Sequence, residues 1–129
     1  MKILFDTNVI ISGFVSRGYS FEVIKDAIFR HEVYYTEHLL KEVQHILSTK
    51  FPLSDEAVDF IIYTIKRHFI KGRSADTIDK ICRDDKDNQV LADALANEIE
   101  ILITGDKDLL VLKNYKEIKI ISPKEYWKL

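Results

Sequence analysis

Carboxylates gather at three distant places in the chain. "LFDTNV" sets Asp6 directly after an apolar run, and "LITGDKDLL" does the same for Asp106 and Asp108. "CRDDKDNQVLADALA" places Asp84, Asp85 and Asp87 just ahead of an apolar stretch, and Glu42 stands in "HLLKEVQHIL". Acids at the ends of apolar runs are hard to bury unless something offsets their charge. Carboxylates that share a site repel, and some would hold protons unless a cation compensates. Oxygen-only donors select a hard ion, so Mg2+ or Mn2+ is expected over zinc. Such ions keep several waters, and one of these can attack a phosphodiester.

Each acid also has a plainer use. Asp6 can turn the chain or bond local amides, although Thr7 and Asn8 add a hydroxyl and an amide to the same edge. Glu42 lies on the flank of its helix's apolar face. Asp87 falls in a first helical turn, where the dipole and free amides favour a negative charge; Asp84 or Asp85 could cap that helix equally well. Asp87 nevertheless shares a side with Val90, Leu91 and Ala94, which turns it inward, whereas Asp93 is expected to be exposed. Asp106 or Asp108 could cap a short helix containing "LLVL"; Asp106 is nearer the strand end, and Thr104 offers a hydroxyl beside it.

The elements that must position these groups follow from apolar periodicity. "KILF" reads as a buried strand ending at Asp6, and "SFEVIKDAIFR" has helical spacing. "EVYYT" reads as a strand, after which Thr36 can cap a helix through "EHLLKEVQHILSTK". Beyond Pro52, Ser54 opens a helix with Val58, Ile61, Ile62, Ile65 and Phe69 in one stripe. Residues 87 to 97 form another helix, "EILIT" and "IKIIS" are strands, and Pro123 starts a last short helix. Strands that alternate with helices and lack a wet face imply a parallel sheet covered on both sides. Ligands of such sheets sit outside the carboxyl ends of the strands, which brings Asp6 and "TGDKD" together.

The 129 residues suit one domain, 1–129, with a sizeable core. A 47% apolar and 31% charged composition is neither disordered nor membrane-spanning. The start "MKILFDTN" meets an aspartate too early for a signal peptide, and the single Cys82 excludes an internal disulfide. Both features predict a cytoplasmic protein. The net charge of −2 gives no global case for nucleic acid, but basic patches can hold phosphate locally. "KRHFIKGR" collects Lys66, Arg67, Lys71 and Arg73, either as helix-end cations or as an RNA-contacting rim. Arg17 and Tyr19 in "SRGYS" form a second candidate rim.

The four stretches "ILFDTNVIISGF", "HLLKEVQHIL", "RDDKDNQVLADALA" and "ILITGDKDLL", with the ending "IKIISPKEYW", resemble the PIN domain family in order and spacing over almost the whole chain. These are metal-dependent ribonucleases that include the VapC-like toxins of toxin–antitoxin modules. The resemblance implies a three-layer α/β/α sandwich around a five-stranded parallel sheet, one or two Mg2+ or Mn2+ ions, and hydrolysis of RNA. It carries the family's acids onto Asp6, Glu42, Asp87 and Asp106. Asp6 and Asp106 would bind metal directly with Asp87 helping, while Glu42 would hold a second ion or orient the attacking water. Asn8, Thr104, Asp84 and Asp108 would support them. The family commonly carries a further acid after the third; Asn88 stands there instead. Homodimerisation and a small antitoxin partner are also implied. A phosphoacceptor signalling domain is the rival reading, but it needs an acidic pair after the first strand and a lysine after the last. A PIN fold retained only for binding RNA or protein is the other.

Overall fold

The computed structural model describes all residues, Met1–Leu129. Its centre is a six-stranded sheet of β1 (Lys2–Phe5), β2 (Glu32–Tyr35), β3 (Ile70–Lys71), β4 (Ile101–Ile103), β5 (Asn114–Tyr115) and β6 (Ile118–Ile121). The strand order is β3-β2-β1-β4-β6-β5. The first five strands of that order run parallel, matching the expected five-stranded sheet; β5 adds a short antiparallel edge against β6, so the sheet has one strand more than expected. Helices α1 (Thr7–Ser16), α2 (Tyr19–Arg30), α3 (Glu37–Lys50), α4 (Asp55–His68), α5 (Asp85–Ala96) and α6 (Lys107–Leu110) flank it, and a 3₁₀ turn, Pro123–Lys128, ends the chain.

The central strands are buried apart from Lys2 at the start of β1: Ile3, Leu4 and Phe5, then Ile101, Leu102 and Ile103 in β4, are each at most 4% exposed. A strand with no wet face has to be apolar at every position, which is why neither strand alternates. Ile118, Ile120 and Ile121 extend the same core through β6.

Helix starts follow the capping chemistry read from the sequence. The Leu39 amide donates to Thr36 Oγ1 at 3.3 Å and the Ala57 amide to Ser54 Oγ at 3.1 Å. Ser122 and Glu125 form a reciprocal capping box around Pro123. The first helix, α1, carries little helical propensity of its own. Its "NVIIS" core is β-branched, but Val9, Ile10 and Ile11 are all buried, and burial outweighs local propensity. At Gly13 a Cβ would lie 2.6 Å from Ile24 Cδ1, so the absence of a side chain there lets α1 and α2 pack closely.

The chain visits β1, β2 and β3 on one side, then crosses to β4 on the other side of β1. The order therefore reverses between β1 and β4, and a crevice opens at their carboxyl ends. Phe5 pairs with Ile103 there, and the Asp6 amide donates to the Ile103 carbonyl at 2.9 Å. Asp6 and Thr104 are thus the first residues beyond two adjacent strands.

Candidate functional site

Asp6 is 7% exposed and both its oxygens are engaged. The Thr7 amide donates to Oδ1 at 2.9 Å and the Thr104 hydroxyl to Oδ2 at 2.7 Å. The Asp106 amide donates to the same Thr104 oxygen at 3.0 Å, so one buried hydroxyl links the first acid to the loop carrying the fourth. Burial raises the Asp6 carboxyl above the usual range; the two hydrogen bonds oppose this, and the charges of Glu42 and Asp106 reinforce it.

Asp87 faces inward from the first turn of α5, as its position relative to Leu91 and Ala94 required, and is 6% exposed. Its Oδ2 is buried without a hydrogen-bond partner. Its carboxyl is pushed up to about 7, first by burial and then by the charges of Asp106, Asp6 and Asp84. Asp87, Asp106 and Asp108 each offer an oxygen within 4.8 Å of the others. An orphaned carboxylate oxygen beside two more carboxylates suits a hard divalent cation, which would supply the missing partner. The residues present fit such an ion.

The local alternatives for these acids are also realised. Asp84 caps α5, accepting from the Lys86 amide at 2.9 Å, and Asp106 caps α6, accepting from the Asp108 amide at 2.8 Å. Asp106 thus acts as a cap and stands in the cluster. Glu42 is half-buried on the flank of α3, and its carboxylate pairs with Lys86 Nζ at 3.6 Å. Asn8 is exposed.

Two side chains on α5 depart from expectation. Asp93 was read as exposed; it is 3% exposed and ties three segments together. It accepts from Thr36 Oγ1 at 3.1 Å, from the Ala75 amide at 2.8 Å and from Gln89 Nε2 at 2.9 Å, with His38 Nδ1 at 3.4 Å. Asn88, where a further acid was looked for, clamps the preceding loop. Its Oδ1 accepts from the Ile81 and Cys82 amides, and its Nδ2 donates to the Cys82 carbonyl at 3.0 Å. A carboxylate could not make that last bond.

None of the basic residues singled out in the sequence pairs with a member of the cluster. Arg17 lies over the Phe21 ring at 5.0 Å, Lys71 pairs with Glu37 at 3.5 Å, and Arg73 Nε donates to the Ala96 carbonyl at 3.1 Å. Lys66 and Arg67 are exposed in the last turn of α4. The cations that do meet the site, Arg83 and Lys86, were not picked out. Their partners lie 25 and 44 positions away in sequence, and only their place beside Asp84–Asp87 hinted at the role.

An α/β sheet whose switch point carries converging acids defines the class of fold, and the sequence comparisons make the class specific. The family model described as "PIN domain" matches residues 2–108, and the chain belongs to that family. It is 31% identical to "Uncharacterized protein MJ1680" of Methanocaldococcus jannaschii, in a match covering 98% of this chain and 89% of that protein. The crystal structure of VapBC2 from Rickettsia felis bound to a DNA fragment from their promoter superposes with a TM-score of 0.69. That match covers 95% of this chain and 98% of the other at 11% identity, which shows a common fold. Membership of this family sets aside the phosphoacceptor reading. No helix is long and apolar enough to cross a membrane.

Proposed function

We propose that this protein is a divalent-metal-dependent endoribonuclease acting in the cytoplasm as the toxin of a toxin–antitoxin pair. The observation that carries the reading is the convergence of Asp87, Asp106 and Asp108 within 4.8 Å, with Asp87 Oδ2 unpartnered. PIN family membership and the fold shared with VapBC2 support it. Asp6, Asp87 and Asp106 would hold Mg2+ or Mn2+, with Asp108 joining them. The bound ion would activate a water and offset charge developing on the phosphate oxygens. The chain's own residues do the rest: Thr104 holds Asp6 and the Asp106 loop in register, and Glu42 orients the attacking water. Asp6 and Asp87, both buried, lie in a low-dielectric setting that strengthens their charge interactions. The fold shared with VapBC2 supports a small antitoxin as partner, and homodimerisation belongs to the same reading.

The test compares wild type with Asp6→Asn and Asp106→Asn on a labelled single-stranded RNA, in Mg2+, in Mn2+ and with chelator. Each variant should lose at least about a hundredfold in rate, as removal of groups that stabilise transition-state charge does, and chelator should abolish cleavage. Activity that survives chelation, or persists in both variants, defeats the assignment.

A further inference from the structure

Two cations on the turn that opens α5 border the acid cluster. Arg83 Nη2 lies 3.0 Å from both oxygens of Asp108, one of the three converging carboxylates. Lys86 Nζ lies 3.6 Å from Glu42 Oε2. The cationic side chains are 88% and 70% exposed, against 43% for Asp108 and 25% for Glu42. Exposed ion pairs of this kind contribute little to stability, so they open readily. The acids are the fixed partners and the long cations the mobile ones.

We propose that Arg83 and Lys86 are the substrate-phosphate contacts of this site, transferring from Asp108 and Glu42 to the RNA backbone when a divalent cation offsets the charge of those carboxylates. The inference rests on the nuclease reading above. An anionic polymer approaching the three clustered carboxylates meets repulsion and needs local cations to hold it. None of the basic side chains singled out in the sequence pairs with a carboxylate of the cluster: Arg17 lies over Phe21, Arg73 donates to the Ala96 carbonyl and Lys71 pairs with Glu37. A guanidinium suits the exchange because its planar fork matches carboxylate and phosphate alike. While Arg83 stays on Asp108 it competes with a divalent ion for that ligand's charge.

The test uses the full chain carrying Arg83→Gln, Arg83→Lys, Lys86→Gln or both glutamines, each checked for a cooperative melt. In calorimetric titration with Mn2+ alone, Arg83→Gln should bind about three- to tenfold tighter, because one repelling charge is gone. In an Asp108→Asn background the same change should bring no gain. In cleavage of a labelled single-stranded RNA at saturating Mn2+, each glutamine should raise KM about tenfold with kcat little changed. The dependence of log KM on log salt should become shallower by about 0.7 per cation removed, and Arg83→Lys should restore that slope. A double variant with wild-type KM and salt slope overturns the transfer, whatever its Mn2+ affinity, and so does an Arg83→Gln variant that binds Mn2+ no tighter than wild type. A wild type that neither binds Mn2+ nor cleaves RNA overturns the nuclease reading itself.

Discussion

Replacing Asp87 by Asn should stabilise the protein in metal-free buffer at alkaline pH, although the residue is buried beside the core. The Asp87 carboxyl is raised from 3.8 to about 7 by burial and by its acidic neighbours. Between those values the folded chain keeps a proton that the unfolded chain has lost. Stability therefore falls as pH rises through that window and levels off above about 7. The full interval corresponds to about 4 kcal/mol at most. Asn keeps the shape and removes the charge, but leaves a buried amide imperfectly paired, at a cost of about 1–3 kcal/mol. The net gain at pH 8 is then about 1–3 kcal/mol, or roughly 4–10 °C in melting temperature for a chain of this size. Groups far from Asp87 titrate in wild type and variant alike, so the difference between them reports Asp87 together with its coupling to Asp106, Asp6 and Asp84. The assay is urea and thermal unfolding of both proteins with chelator, from pH 4 to pH 8. The advantage of the variant should open between pH 4 and pH 7 and close again for wild type when Mg2+ or Mn2+ is added, since ligand binding to the folded state stabilises it. A variant less stable than wild type at pH 8, or a gap independent of pH, refutes the reasoning.

Three further outcomes follow from the same neighbourhood. Asn88→Asp, which restores the acid common in the family, should destabilise by about 2–4 kcal/mol at neutral pH. It loses the bond to the Cys82 carbonyl and adds charge beside Asp87, and unfolding in urea would measure the loss. Asp93→Ala should cost about 3–5 kcal/mol by leaving Thr36 and the Ala75 amide without their acceptor, and hydrogen exchange at Ala75 should speed up. The Cys82 thiol is pushed up by burial and then by Asp87, Asp108, Asp106 and Asp84. Its alkylation should therefore quicken when Mg2+ or Mn2+ offsets those charges, and a rate that Mg2+ leaves unchanged would argue against a cation there.

The sheet was legible because its strands carry their own signal. "KILF" and "EILIT" each carry three consecutive apolar residues, which a sheet covered on both faces accommodates, and parallel pairing follows; "IKIIS" is broken only by the exposed Lys119. The caps at Thr36 and Ser54 were equally local. Elsewhere packing decides what local sequence does not. The β-branched run after Asp6 forms a helix because its neighbours bury it. The edge strand β5 has two residues and is flanked by Lys113 and Lys116 at φ 60° and 55°, with no glycine or asparagine at either to mark the turns.

The acids divide along the same line, and the division explains why an acid-by-acid reading stops short. Asp6 and Asp106 could be placed because each follows a strand whose end the sequence shows, and parallel topology brings those ends together; Asp87 could be placed because it shares the inward side of its helix with Leu91 and Ala94. Asp93 sits on a helix face that looks solvent-bound in isolation; its main partners, Thr36 and Ala75, arrive from two other segments. Arg83 and Asp108 meet in the same way, across 25 residues. A charged side chain near an element's end is therefore readable from one segment, whereas a charge whose role is to join segments is not. Here Asp93, behind the site, ties α5 to Thr36 and Ala75 and so fixes how the helix carries Asp87 to the switch between β1 and β4, whereas the exposed pairs of Arg83 and Lys86 at its mouth do not. The carboxylate cluster depends on that helix keeping its seat, and for that reason the residues that tether α5 should govern cation affinity as directly as the ligands do.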